Sequence, residues 1–192
     1  MELLEGVGGV EDVDRLVERL AEIGDEYNCV ITPFDARYLV GREHVERATR
    51  LAARAFRRGE NVAETRAIEV LCYAAGRRQI DRAIELGIST GETPIVVAVS
   101  SVEGGDRSDR SERDDRNERD ETESGAHERE RDATEAVERA LDPGFERTDV
   151  LGAYDEELVR EFFGVTETEL AATDAGLAEL VGERVALLDV EK

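Results

Sequence analysis

Residues 95–99 read Ile-Val-Val-Ala-Val, a continuous apolar run with no polar alternation. A strand exposed on one face alternates. A run like this one fits a strand covered on both faces. Such a strand requires a small sheet with helices packed over it. Two further strands are expected: residues 2–4, followed by a glycine-rich turn, and 29–32, a β-branched stretch ended by Pro33. The turn sequence GVGGVE lacks the dinucleotide-binding fingerprint, because Glu11 stands where the third glycine belongs. FDARYLV, 34–40, continues with a bend or another strand.

Helical periodicity covers most of the rest. Val13, Leu16, Val17, Leu20 and Ile23 share one face of a helix over 12–26. A second helix spans 42–58 and stops at Gly59. A third begins at Asn61, whose spacing to Glu64 resembles a capping box, and ends at Gly76. A fourth covers 79–86 and closes at Gly87. After 133 the pattern is helical again: 133–141, a turn at 142–144, 155–163, a helix capped by Thr166 with Glu169 three residues on, and 174–190. The run 42–87 is too long for a simple crossover between strands. The expected fold is therefore α+β: a single domain with a small mixed or antiparallel sheet and several helices. Residues 1–102 supply its first part and 133–192 its helical remainder.

Residues 103–132 stand apart. Twenty of these thirty are charged, and Ala126 is the one apolar residue. Such a segment buries too little to offset its ordering entropy, so it reads as a disordered charged insertion, with at most a transient Glu/Arg helix.

The chain of 192 residues carries a net charge of −22, and its bases are arginines except Lys192. Acid excess with few lysine stems suits a salty cytoplasm, where self-repulsion is screened. Against this background 35–87 carries 11 arginines and 8 acids, a net of +3. Pairing on helix faces accounts for a charge run of this kind; a binding surface is the alternative. Arg57 and Arg58 end one helix, Arg77, Arg78 and Gln79 open another, and Tyr73 lies one turn earlier. Guanidinium forks hold phosphates and stack on bases, so this set is a candidate single-stranded RNA site.

The residues offer little for catalysis. Cys29 and Cys72 are far apart and apolar in context. His44 and His127 are isolated, and no phosphate-cradling glycine loop with lysine exists. The expectation is a non-enzyme with no metal, cofactor or membrane span, located in the cytoplasm.

The run GENVAETRAIEVLCYAAGRRQIDRAIELGI resembles the smallest conserved subunit of the KEOPS complex, the PRPK-binding protein family of CGI type, here in a halophilic archaeal guise. Arg78-Gln79-Ile80 is its most specific element. ELLEG, FDARYLVGREH, TPIVVAV and ERVALLDVE support it, and 103–132 falls outside it as an insertion. The resemblance implies a non-catalytic subunit in the modification of tRNA to threonylcarbamoyladenosine. It implies binding to the complex's small kinase/ATPase subunit and to the 3′ CCA end of tRNA, with the Kae-type catalytic subunit reached indirectly. A pure protein-interaction role is the alternative.

Overall fold

The computed structural model describes residues 1–102 and 115–190, with side chains throughout except at 115–123 and 190. Among the described residues the sheet has four antiparallel strands: β1 (Glu2–Val10), β2 (Cys29–Asp35), β3 (Gly91–Ser101) and β4 (Phe145–Arg147), in the order β2-β3-β1-β4. Helix α1 (Val13–Tyr27) joins β1 to β2, and α5 (Asp115–Leu141) precedes β4. This is the connectivity of a doubled split βαβ unit. Its β2–β3 link is expanded into α2 (Arg42–Arg58), α3 (Arg66–Ala74) and the single turn α4 (Ile80–Ala83), and the chain closes with α6 (Glu156–Phe163), α7 (Glu167–Ala171) and α8 (Leu177–Val190). The fold is α+β, as the sequence predicts.

The apolar run in β3 is buried on both sides. Ile95, Val97 and Val99 face a core with Leu20 and Ile23 of α1 and Ala133 and Val137 of α5. Val96 and Ala98 face the opposite core, built from α2, α3, α6 and α8. All five side chains are at most 2 % exposed. Each buried Val or Ile contributes about 1.5–3 kcal/mol.

Several local expectations are corrected. The glycine-rich stretch after residue 4 is strand rather than turn: Gly6 pairs with Ile95, Gly8 with Thr93 and Gly9 with Glu92. A Cβ at Gly6 would lie 2.4 Å from the Glu146 carbonyl oxygen and 2.5 Å from the Phe145 ring. Glycine is there so that β4 can approach β1. Strand β2 continues through Pro33 to Asp35 because β2 is an edge, where a missing N–H need not leave a ladder incomplete. Pro94 likewise lies beyond the end of β2 pairing, where β3 has β1 alone as neighbour. FDARYLV turns through a 3₁₀ segment, Ala36–Tyr38. The expected helix over 79–86 is the short α4 followed by a 3₁₀ turn, Ile84–Leu86. The part after 133 is not purely helical, since it supplies β4.

The second half of the charged insertion is helical. Residues 115–132 belong to the single helix α5, and 103–114 lie outside the described residues. Composition missed one anchor. Glu130 is 4 % exposed. Its carboxylate accepts from the Met1 amino group at 2.7 Å and from the Ser101 backbone N–H at 2.8 Å. Burial pushes this carboxyl upward, but those bonds and the amino charge outweigh it, and its pKa falls below the usual value. A carboxylate satisfied in this way is a tether that an apolar count cannot register.

The two helical ends around α2 are also joined by a buried polar group. His44 Nε2 lies 2.8 Å from the Ala74 carbonyl oxygen, and its ring meets Phe163 edge to face. Since a carbonyl only accepts, the imidazole carries its proton on Nε2. Burial lowers its pKa to about 4.

Two outcomes follow. Gly6→Ala should destabilise by about 1–3 kcal/mol through overpacking, lowering Tm by about 2–4 °C per kcal/mol. Gly9→Ala, where a Cβ meets nothing within 4 Å, should leave Tm near wild type. Thermal unfolding checks both. For His44 the unfolded chain takes up its proton first, so stability should fall as pH drops from about 6.5 toward 4, at up to about 1.4 kcal/mol per pH unit. His44→Gln keeps a donor for Ala74 and should flatten that slope between pH 6.5 and 5 in urea titrations. An unchanged slope would mean that His44 is not the group responsible.

Candidate binding surface

The pairing of α2 with α3 decides which arginines meet. His44 near the start of α2 touches Ala74 at the end of α3, so the two helices run in opposite directions. From residue 44 to 57 an α-helix rises about 20 Å. Arg57 and Arg58 therefore lie at one end of this hairpin, and Arg77, Arg78 and Gln79 at the other. The single cluster expected from sequence is two separate places.

The far end loses much of its RNA character. Tyr73 is 1 % exposed, and its hydroxyl donates to Asp189 Oδ1 at 3.3 Å. Burial and the Asp189 charge raise its pKa. A ring sunk in the core cannot stack on a base. Arg77 donates to the Phe162 carbonyl oxygen at the end of α6, and its guanidinium lies 5.4 Å from the Phe162 ring centroid. It satisfies a helix-end carbonyl that would otherwise lack a partner. Arg78 and Gln79 are exposed.

At the near end the structure builds something the sequence did not reveal. Arg57 and Arg66 line a small, partly open pocket together with Thr49, Ser100 and Ser101, and its other walls are apolar: Val30, Ala52, Ala53, Val70 and Val102. Its volume is about 30 Å³, room for a water or two. Arg66 lies over the Phe56 ring at 4.6 Å from the centroid, which holds its guanidinium at the pocket wall. Arg58 is exposed beside Glu60, 4.0 Å away. Thr49 is 8 % exposed, and its Oγ1 has no hydrogen-bond partner among the described residues.

The pocket adjoins a larger apolar groove of about 780 Å³, with which it shares Val30, Arg66 and Val102. The groove follows the edge of β2. Val17 and Leu20 of α1 form one wall, and Ile68 of α3 with Ile84 and Ile88 forms the other. Val17 is 45 % exposed and Ile84 49 %, so the lips of the groove are apolar as well. Gly24 sets its depth: a Cβ there would be 2.8 Å from the Cys29 carbonyl oxygen, so only glycine lets α1 lie this close to β2.

A buried acid fixes the loop between the two arginines. Helix α3 starts at Arg66 with Thr65 as its cap, not at Asn61. Thr65 Oγ1 accepts the Ile68 N–H at 3.4 Å. Asn61 instead donates from its amide to the Ala63 carbonyl oxygen. Glu69, 1 % exposed, accepts the N–H groups of Val62 and Ala63 at 2.9 and 2.8 Å. One carboxylate thus folds the loop back and sets Arg66 opposite the end of α2.

Thr49, Arg66, Ser100 and Ser101 are the residues that sequence reasoning missed. Arg66 lay within the basic stretch. The hydroxyls carried no signal, since only tertiary pairing brings the end of β3 beside α2. Other reactive groups are quiet. Burial pushes the Cys29 thiol up to about 11, and Cys72 likewise. Among the described residues no group of three or more His, Cys, Asp or Glu could hold a metal ion. No described helix is long and apolar enough to cross a membrane.

Residues 8–189 match the family model of the kinase-binding protein CGI-121. That is nearly the whole chain, and the chain belongs to this family. No curated protein matches it.

The loop geometry gives a direct check. Glu69→Ala leaves the buried Ala63 N–H without its acceptor and should cost about 1–3 kcal/mol. Glu69→Gln, which keeps one accepting oxygen, should cost less. Chemical denaturation should show the order wild type, Gln, Ala, and hydrogen exchange at Ala63 should quicken most in the Ala variant. Equal stability of all three would remove Glu69 from this role.

Proposed function

We propose that this kinase-binding family member is a non-catalytic subunit of the KEOPS tRNA-modification complex. In this reading it docks on the complex's small kinase/ATPase subunit in the cytoplasm and recruits tRNA through its unpaired 3′ CCA end. The Kae-type subunit performs the chemistry, and this chain needs no cofactor. The observation that carries the RNA half is the convergence of Arg57 and Arg66 on a small pocket with Thr49, Ser100 and Ser101 in its otherwise apolar lining, beside an apolar groove, in a chain of net charge −22.

The physical reason is one of range. Bulk electrostatics oppose RNA binding to so acidic a protein, and salt weakens phosphate contacts, with log K falling by about 0.7 per single-strand phosphate. Affinity must come from short-range contacts. The groove offers apolar walls to unstacked bases, which are worth about 1–3 kcal/mol each. The arginines supply bidentate donors for the backbone between them. A paired stem exposes no such base faces; a free CCA end does.

A protein-only reading rests on the same groove. Its apolar lips, Val17 and Ile84, would equally suit an apolar segment of the kinase. The two readings differ in what the arginines do. Arg57→Ala with Arg66→Ala should weaken tRNA binding at least tenfold, removal of CCA should do so to a similar degree, and the two losses should be less than additive because they delete the same contacts. Kinase binding should remain. Fluorescence anisotropy with intact and CCA-trimmed tRNA, at low and high salt, measures this. If the double variant binds intact tRNA like wild type and fails to bind the kinase, the protein-only reading replaces this one.

A further inference from the structure

Thr49 sits in the interior of α2 with its hydroxyl walled off and unpaired among the described residues. A helical threonine ordinarily spends its hydroxyl on the carbonyl one turn back. This one does not, and it lines the same pocket as Arg57 and Arg66. Ser101, the neighbouring hydroxyl, is already spent: it donates to Glu130 Oε1 at 3.0 Å. The Glu130 charge is itself met by the Met1 amino group at 2.7 Å, so the adjoining carboxylate does not make the pocket repel anions. Thr49, Arg57 and Arg66, with the apolar walls, bound about 30 Å³, a space too small for a base or a sugar. It is large enough for one or two oxygens.

We infer that Thr49, Arg57 and Arg66 form an oxyanion pocket that takes the non-bridging oxygens of a single backbone phosphate. Resting on the RNA reading above, that phosphate belongs to the unpaired 3′ tail. Seating it fixes the register of the tail, so that the adjoining bases enter the apolar groove at defined positions. Planar guanidinium forks match phosphate oxygens in pairs, and the Thr49 hydroxyl donates to the oxygen that reaches deepest. The pocket orders the tail and performs no bond chemistry.

The test is Thr49→Val, which keeps the shape and deletes the hydroxyl. Because the hydroxyl is unpaired in the free protein, its loss should leave Tm equal or higher. A purely structural hydroxyl would lower it. Binding of CCA-ended tRNA should weaken roughly tenfold or more, the value of a hydrogen bond to a charged group. The log K against log salt slope should be unchanged in Thr49→Val and about 0.7 shallower in Arg66→Ala. Methylphosphonate placed in turn at each tail phosphate should hurt binding at one position in wild type, and at the same position, by a smaller factor, in Thr49→Val, where the arginines still meet the charge. Inorganic phosphate and AMP serve as probes for a free anion; either binding as tightly as the tailed tRNA would overturn the assignment to a tail phosphate. If Thr49→Val binds tRNA like wild type while the arginine double variant does not, the pocket proposal fails and the RNA reading stands. If wild type ignores CCA altogether, the RNA reading itself fails and this proposal with it.

Discussion

Everything in this fold hangs on β3 being buried on both faces. Ile95, Val97 and Val99 hold α1 and α5 on one side, while Val96 and Ala98 hold the helical layer on the other. Within that layer α2 and α3 are inserted between β2 and β3, so their position is fixed by the strands at the two ends of the insertion, while α6 and α8 follow β4. The Arg57–Arg66 pocket forms at the corner where the end of α2, the start of α3 and the last residues of β3 meet. Loosening β3 would displace Ser100 and Ser101 and dissolve the pocket.

The basic stretch has a structural explanation that narrows its functional one. Three of its eleven arginines, Arg47, Arg54 and Arg77, bond to the C-terminal helices. Arg47 donates to the Gly182 carbonyl oxygen at 3.1 Å and to Glu43 at 2.7 Å. Arg54 pairs with Asp189, and Arg77 with the Phe162 carbonyl oxygen. The segment 133–192, with 16 acids and 5 bases for a net of −11, is the natural counterface. The part-buried contacts among these are screened less by salt than exposed ones. Part of the +3 of 35–87 is thus met by the C-terminal segment, and geometry rather than net charge picks out Arg57 and Arg66.

This explains what could be read from the sequence. The α+β class, the long α2 with its Gly59 stop and the Thr166 cap were legible, because each depends on neighbours a few residues away; Thr166 Oγ1 does accept the Glu169 N–H at 3.1 Å. The glycines of β1 were misread because their reason is Phe145, far along the chain. The start of α3 was misread because Glu69 reaches back over seven residues to claim the loop. The tether at Glu130 was not legible, because a buried carboxylate bonded to Met1 and Ser101 leaves no apolar signal. In the site, Arg57 was visible as an exposed helix-end arginine. Tyr73 and Arg77 looked equivalent to it, since their commitment to Asp189 and Phe162 is purely tertiary. Thr49 was invisible, because an unpaired hydroxyl exists only once the surrounding chain has closed over it.

The central claim is that the end of the α2–α3 hairpin carrying Arg57 and Arg66 receives RNA, and the opposite end does not. Backbone NMR of the chain with a short CCA-ended RNA hairpin separates the two. Shift changes should gather at Thr49, Arg57, Arg66, Ser100 and Val102 and run along the groove past Ile68 and Ile84, and they should vanish when CCA is trimmed. Changes centred instead on Arg78 and Gln79, about 20 Å away along the hairpin, would contradict the account.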